Sequence, residues 1–227
     1  MSKNKTAHVL LRGGGDLASG VALRLYRSGI RLAITELSQP LAVRRSVSFA
    51  EAVYEGQYTI EGVTGRLVQR DQLQASLDAD EIPVLIDPNA DLLSTFHFPV
   101  VIDARLMKQP PQPLPTPVPL HIGLGPGFHA GENCHAVIET RRSHTLSRVY
   151  WHGATQPDTG EPEGDRRRVL RAPADGVVAS KAKICQHVEE GDEIAAIGEQ
   201  VVVSPFAGIL RGLIHDGLHV TKGLKIR

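Results

Sequence analysis

VLLRGGGDLASGVALRL (residues 9–25) decides how the N-terminal half of this 227-residue chain folds. An apolar run leads into three consecutive glycines, and behind them leucine and valine recur at every fourth position, the spacing of one helix face. We therefore expect a strand, a tight turn and a helix that ends near Gly29. Residues 32–35 read as a second strand, which closes at Glu36. Together these elements predict a βαβ unit.

Two later apolar runs, residues 83–87 and 99–103, each close with an aspartate. Runs that are apolar on both faces are typical of parallel strands buried between helices. A capping-box pattern that begins at Ser48 predicts a short helix to about Tyr54, and residues 72–77 predict another. The sequence therefore predicts an α/β fold, with a Rossmann-like N-terminal domain built on a parallel sheet.

Composition places the domain boundaries. Residues 110–119 contain six prolines and should be extended, because proline supports neither a helix interior nor a central strand. Residues 153–168 are rich in glycine, proline and charge without any periodicity, which predicts a linker. We expect an N-terminal domain over residues 1–152 and a second domain over residues 169–227.

The second domain contains an internal repeat. Residues 172–194 align without a gap with residues 204–226 at an offset of 32, with six identities. Such a repeat predicts a small all-β unit of two halves, since neither half alone could bury an apolar face. The pattern resembles the barrel-sandwich domain of biotinyl and lipoyl carriers. The join at residues 197–201 has no lysine for modification, so we expect neither biotin nor lipoate.

Charge and composition exclude several classes of function. The 25 basic and 25 acidic residues give no net charge, which disfavours nucleic acid as a partner and is compatible with a homodimer. No apolar run reaches the roughly 18 residues of a membrane span. Cys134 and Cys185 lie far apart, which favours free thiols in a reducing compartment. We expect a cytoplasmic protein without membrane or nucleic-acid contacts.

The glycine-rich turn carries the strongest candidate site. It has the form Gly-x-Gly-x-x-Ala between a strand and a helix, where dinucleotide-binding proteins place a pyrophosphate. Glu36 follows Gly15 by 21 residues, the place of an acid that accepts ribose hydroxyls. Asp16 opposes a phosphate at this helix end, and a purely structural turn is the alternative. The candidate residues are Gly13, Gly14, Gly15, Asp16, Ala18 and Glu36.

Two pairs of charged residues are further candidates. Arg44 and Arg45 precede the predicted capped helix, where their guanidinium groups could meet an anion; solvated surface arginines are the alternative. Asp103 and Lys108 follow the carboxyl end of a predicted parallel strand, the edge where open α/β sheets bind ligands. Capping the next turn is the alternative role for Asp103.

The loop HIGLGPGFHAGENCHAVIET, residues 121–140, forms a second candidate region. Backbone amides around its glycines could converge on an anion, with side chains adding contacts. Six histidines and cysteines crowd this part of the chain, but their spacing fits no zinc pattern, and we predict no metal site. Cys134 as a nucleophile lacks an orienting third group. The candidate residues here are Gly125, Gly127, His135, Glu139 and Thr140.

Several strings together resemble one family: residues 9–25, 40–56, 101–108, 124–140 and 168–178. They are similar to the accessory proteins of the selenium-dependent molybdenum hydroxylase system, which are grouped with the XdhC-type maturation factors of xanthine dehydrogenase. The resemblance implies a Rossmann-like protein that helps a molybdenum hydroxylase to acquire its cofactor. It implies molybdopterin dinucleotide, or another nucleotide, as ligand, and the apo-hydroxylase or its maturation machinery as partner.

Two alternatives belong to other classes. Residues 9–36 also look like the start of precorrin-2 dehydrogenases, which would make the chain an NAD-dependent oxidoreductase. The β-rich C-terminal domain would otherwise serve as a non-catalytic docking module for a partner enzyme. The resemblance as a whole favours a cofactor-binding accessory factor over a stand-alone enzyme.

Overall fold

The computed structural model describes residues 8–161 and 164–227, and the chain divides into two units. The N-terminal unit comprises the described residues up to Pro40 together with Ser48–Thr159. The C-terminal unit comprises Leu41–Val47 and the described residues from Gly160 onward. The division falls inside the predicted linker, but residues 153–159 belong to the N-terminal unit because Gly153–Ala154 pairs there as a strand.

The N-terminal unit is built on a large sheet flanked by short helices. Its described strands are β1 (Val9–Arg12), β2 (Leu32–Glu36), β3 (Gln57–Ile60), β4 (Val63–Leu67), β5 (Ile82–Ile86), β6 (Val100–Asp103), β7 (Leu120–Leu124), β8 (His129–Ala130), β9 (Ala136–Ile138), β10 (Val149–Tyr150) and β11 (Gly153–Ala154). Its described α-helices are α1 (Asp16–Arg27), α2 (Ala52–Glu55) and α3 (Leu73–Asp78). The predicted ends of these helices agree with the structure within about two residues. The helix predicted after Ser48 begins instead with a 3-10 turn, Phe49–Glu51, and α2 starts at Ala52.

Nine of these strands form one sheet in the order β10-β9-β7-β6-β1-β2-β5-β4-β3. All neighbours from β9 to β4 run parallel, and only the two edge strands pair antiparallel. Strands β8 and β11 form a separate antiparallel pair. The predicted α/β class with a parallel sheet is therefore confirmed.

Both faces of this sheet are covered, which explains the continuous apolar character of its strands. Along β1 the side chains alternate: Leu11 packs in the cluster that contains Ala22 of α1, and Leu10 packs in the cluster that contains Leu77 of α3. Each of these four side chains is almost completely inaccessible to solvent. The proline-rich segment, residues 110–119, contributes Leu114 to the second cluster.

The order in which strands are added to the sheet reverses at β1. It leaves this strand through α1 to reach β2 on one side, and it returns later as β6 on the other side. In open α/β sheets, the crevice at the carboxyl ends of two such strands is where ligands bind. Here the crevice lies beyond Arg12 and Asp103, which are paired in register.

Among its described residues the C-terminal unit contains β-strands, turns and two one-turn 3-10 helices, Arg45–Val47 and Arg166–Arg168, but no α-helix. Its strands are β12 (Gly176–Ser180), β13 (His187–Val188), β14 (Glu193–Ile197), β15 (Gln200–Val203), β16 (Gly208–Ile209) and β17 (His219–Val220). They form a four-stranded sheet, in the order β15-β14-β12-β17, and a two-stranded sheet of β13 and β16.

The internal repeat appears as reciprocal pairing between its halves. The amide of Val178 donates to the carbonyl of Leu218, and 32 residues later Leu210 donates to Gln186, each over 2.9 Å. Strand β12 pairs with β17 of the other half, and β13 pairs with β16. Each half therefore supplies the strands with which the other half pairs, so that neither half could form these sheets alone. The turn that joins β14 and β15 holds Gly198 and Glu199.

Candidate functional site

The glycine-rich turn follows β1 directly and is held from two sides. Gly13 has a φ of 91°, a left-handed conformation that favours glycine, and its amide donates to the carbonyl of Thr35 over 2.8 Å. A Cβ on Gly13 would lie 3.2 Å from the side chain of Arg105. The turn is thus fixed between β2 and the segment after β6.

Gly14 lies in close contact with the segment before α2. Its carbonyl accepts hydrogen bonds from the amide of Ala50, over 2.8 Å, and from the hydroxyl of Ser19, over 3.0 Å. The same hydroxyl accepts from the amide of Phe49. A Cβ on Gly14 would lie only 2.8 Å from the nitrogen of Ala50. Glycine is required here for internal packing.

Gly15 differs from both neighbours. Its φ of −65° suits any residue, and a Cβ would meet nothing within 4 Å. Gly15 is also the N-cap of α1, and no side chain hydrogen bond caps this helix end. Ala18, one turn further, is buried against the sheet, as the fingerprint requires of its small third residue. The structure therefore leaves the approach to the helix N-terminus open at Gly15.

Glu36 connects the turn to the end of β2. Its Oε2 accepts the amide of Gly14 over 2.6 Å, and its Oε1 accepts the amide of Leu37 over 2.7 Å. Burial raises the pKa of this carboxyl, while the two backbone hydrogen bonds oppose the rise. Each carboxylate oxygen has a second lone pair, so the group can still accept from a ligand hydroxyl.

A buried cluster of charges lies at the crevice between β1 and β6. Asp103 is inaccessible to solvent, and its Oδ2 accepts from Arg12 over 3.3 Å and from Arg105 over 2.6 Å. Arg105 makes a second contact to Oδ1 over 2.9 Å. Arg12 also donates to the carbonyl of Pro88. Because a buried carboxylate requires such partners, Asp103 is tied to the fold, and Arg105, whose side chain is 27% exposed, presents this cluster to solvent.

The remaining charged candidates are two arginines of the C-terminal unit and one lysine of the N-terminal unit. Arg44 and Arg45 group with the C-terminal unit, where Nε of Arg45 donates to the carbonyl of Leu213 over 2.8 Å. Lys108 forms an exposed ion pair with Asp158 in the N-terminal unit, over 2.8 Å. The structure thus places Asp103 in register with Arg12, the residue before the glycine-rich turn, and pairs Lys108 with Asp158.

The glycine loop of residues 123–127 does not present a row of free amides. The amide of Gly125 donates to the carbonyl of Ile138, and that of Gly127 to the carbonyl of Met107. A Cβ on Gly127 would lie 2.5 Å from the carbonyl oxygen of Met107. The expectation that these two amides are free for an anion is therefore corrected, because backbone carbonyls of the fold use them. Close packing explains Gly127, and a left-handed φ of 98° explains Gly125.

The side chains near this loop are also engaged by the fold. Glu139 is buried, and its two oxygens accept the amides of Arg141 and Gln156, each over 2.8 Å. Thr140 packs beside Gly125. His135 accepts the amide of His121 on its Nδ1 over 2.8 Å. Burial raises the pKa of the Cys134 thiol, which disfavours the thiolate that a nucleophile needs.

Comparison with known proteins gives one informative relative. No family model matches the chain, and no solved structure matches it. The chain is 45% identical over 223 residues to the protein of Escherichia coli (strain K12) that is named "Uncharacterized protein YqeB". Nearly the whole of this chain is therefore similar to a part of YqeB. The alignment covers 96% of this chain and 41% of YqeB, so the chain spans well under half the length of that relative.

The likeness to YqeB leaves the activity to be argued from the site. Sequence patterns alone pointed to the glycine-rich turn, Glu36 and Asp103, but missed Arg12, Ser19 and Arg105. An arginine that ends an otherwise apolar strand, as Arg12 does, is the signal that marks a buried ion pair. Nothing local marks Arg105 or Ser19, because their contacts depend on the packing of distant segments.

Proposed function

We propose that the N-terminal unit is Rossmann-like and binds the nucleotide part of a cofactor at the glycine-rich turn. The observation that carries the proposal is the open position of Gly15 at the uncapped N-terminus of α1. Neither the backbone conformation nor the packing at this position requires glycine. A phosphate that binds the amides of the first helical turn would require glycine, because a larger side chain here would block its approach.

The surroundings of Glu36 support a nucleoside beside that phosphate. Glu36 closes β2, and its register partner on β5 is Ile86. The side chains of Leu37 and Ile86 are 43% and 48% exposed, so the carboxyl ends of these strands offer apolar surface next to an acid. This combination suits a base and its ribose, and the acid disfavours a 2′-phosphate.

The biological role that fits this ligand is cofactor handling. We propose a cytoplasmic accessory protein for a molybdenum hydroxylase, which holds molybdopterin dinucleotide or another nucleotide and passes it to the apo-hydroxylase or its maturation machinery. When bound to its hydroxylase, the cofactor supplies the redox-active molybdenum. The present chain is asked only to bind, orient and release it, for which Gly15 and Glu36 are the fitting residues. The motif resemblance supports this role.

A thermal-shift series tests the ligand. The purified protein is heated with NAD, NADP, CTP, CDP, GTP and isolated molybdenum cofactor in separate samples. A ligand at 100 times its dissociation constant should stabilise the fold by roughly 2.7 kcal/mol. Stabilisation by a cytidine nucleotide or by the molybdenum cofactor supports cofactor handling. No stabilisation by any of the six would contradict ligand binding at the turn.

The variant Gly15→Val gives the residue-level test. Valine fits the observed backbone and the open space, so the protein should remain folded while the ligand-induced shift disappears. Gly20→Val is the matched control, because Gly20 lies in the same helix with nothing within 4 Å of an added Cβ. An undiminished shift in Gly15→Val would contradict phosphate binding at this turn.

An NAD-dependent oxidoreductase is the second candidate, and Glu36 is the observation that favours it. An acid at the end of β2 fits the free ribose hydroxyls of NAD. In the same series, stabilisation by NAD but not by NADP, followed by turnover of the nicotinamide, would select this function. Docking of a partner enzyme by the C-terminal unit stays a separate prediction.

A further inference from the structure

A cavity of about 550 Å³ lies beside the proline-rich segment of the N-terminal unit. This volume is in the range of pockets that hold small organic molecules. The proline-rich segment contributes apolar side chains, among them Pro111, Leu114 and Pro117. His121, His135 and Trp151 also line the cavity, whereas no residue of the glycine-rich turn does. The cavity is therefore a site distinct from the one proposed above, and it does not rest on that proposal.

His121 is the most informative residue of the lining. It lies on β7, is only 7% exposed, and packs edge-on against Phe128 with ring centroids 6.0 Å apart. Its Nε2 is buried and has no hydrogen-bond partner among the described residues. Buried polar atoms without partners are rare because they cost free energy. An atom of a bound molecule would satisfy this nitrogen.

His135 adds a second polar group in a defined state. Its Nδ1 accepts the main-chain amide of His121, so a neutral His135 ring carries its proton on Nε2. Burial lowers the pKa of His121, which favours its neutral ring. The two rings thus offer hydrogen-bonding nitrogen atoms to a molecule in the cavity.

The rest of the lining combines apolar and aromatic surface with the polar side chains of Gln112, Asn133 and His152. Prolines have no amide proton, so their rings offer apolar surface without donors. Trp151 is 59% exposed and is the single tryptophan of the chain, which leaves its indole face available for stacking. Among the described lining residues none is Lys or Arg, and Glu132 is the single acid. These properties suit an uncharged ring rather than a phosphate.

We propose that this cavity binds a flat, uncharged, bicyclic nitrogen heterocycle of the purine or pteridine type, with Nε2 of His121 as its hydrogen-bond partner and Trp151 stacked against it. The apolar faces of such a ring can pack against the prolines and the indole. The nitrogen and oxygen atoms at its edge can form hydrogen bonds with His121 and His135. A purely aliphatic ligand would leave His121 without a partner.

Fluorescence titration of the intact chain tests the proposal, because Trp151 reports on this cavity alone. The probes are adenosine, guanosine and 6-methylpterin. Saturable quenching by a purine, by the pterin or by both supports the proposal and distinguishes the two ring types. No saturable quenching by any probe up to about 1 mM overturns it.

Two substitutions assign the hydrogen bond. His121→Phe keeps a ring in the buried position and should weaken binding about tenfold, because the ligand loses its partner. His144→Phe is the control, since His144 is exposed and lies outside the cavity lining; its binding should equal that of the unaltered chain. If His121→Phe does not fold, His135→Phe replaces it as the test variant, since His135 is exposed. Its binding should also weaken about tenfold. Equal affinity in the test and control variants overturns the role of the histidines.

Discussion

The three consecutive glycines in the turn after β1 occupy three physically different positions. Gly13 adopts a left-handed φ of 91°. Gly14 is approached so closely by the backbone at Ala50 that a side chain would overlap it. Gly15 has neither constraint, and this contrast makes it the ligand-facing candidate. At the scale of single residues, therefore, one motif combines two glycines that the fold requires with one that it does not require.

Gly14→Ala is expected to destabilise the protein by about 1 to 3 kcal/mol, the usual cost of overpacking. The added Cβ would lie 2.8 Å from the nitrogen of Ala50, which is backbone and cannot rotate away. Urea denaturation of the two proteins measures the difference in the free energy of unfolding. Gly15→Ala is the control, with an expected change within about 0.5 kcal/mol. Equal stability of the two variants would contradict the close approach.

His121 is expected to make stability depend on pH. Burial lowers its pKa below that of the unfolded chain, so the unfolded state binds the proton more readily. Stability is therefore highest above the ordinary histidine pKa of about 6.5 and falls as the pH drops below it towards the lower folded-state value. Thermal unfolding at about pH 7.5 and about pH 5.5 measures this difference. His121→Phe should reduce it, and an unchanged difference in that variant would speak against His121.

At the scale of elements, the C-terminal unit shows how a repeat becomes a fold. Each half donates strands to the other, so that β12 pairs with β17 and β13 pairs with β16. Val178 and its repeat equivalent Leu210 are both buried, at 1% and 0% exposure. The 32-residue spacing thus places equivalent apolar side chains in the interior of both halves.

Leu210→Ala is expected to destabilise the C-terminal unit by about 2 to 5 kcal/mol, because the change removes buried methyl groups and leaves a cavity. Ile209→Ala provides the matched control, since Ile209 is the next residue and is 50% exposed. Chemical denaturation followed by far-ultraviolet circular dichroism compares the two variants. A loss at Ile209 as large as that at Leu210 would contradict the observed burial.

At the scale of the whole molecule, the chain consists of two units with separate architectures. The proposed nucleotide site and the proposed heterocycle site both lie in the N-terminal unit. None of the described helices is long and apolar enough to span a membrane. The division predicts where a bound nucleotide should have its effect.

Hydrogen exchange of the intact chain is expected to localise that effect. A nucleotide that stabilises the protein should increase protection at residues 13–19 and at Leu37, because these amides surround the proposed phosphate and ribose positions. Amides of the repeat, residues 172–226, should be protected much less. Mass spectrometry of peptides after exchange with and without nucleotide provides the measurement. Protection centred on the repeat would contradict a site at the glycine-rich turn.

The sequence by itself determined the elements whose signals are local. The apolar runs and periods of residues 9–36, the two aspartate-closed runs and the 32-residue repeat predicted β1, β2, β5, β6, the first helix and a C-terminal unit of two halves, whereas no pattern predicted β3 and β4. Such patterns depend on which side chains recur at the spacing of one helix face or one strand, and that spacing is set by the backbone alone. The α/β class followed from them.

Only the tertiary structure decided which groups meet. Arg12 and Asp103 are 91 residues apart in the chain, yet they form a buried ion pair, and Arg105 donates to the same carboxylate. Glycines at 125 and 127 fit an anion loop by sequence, but distant carbonyls use their amides. The cavity with His121 likewise depends on where the proline-rich segment packs. Contacts between distant segments are determined by packing and burial, which no local pattern records.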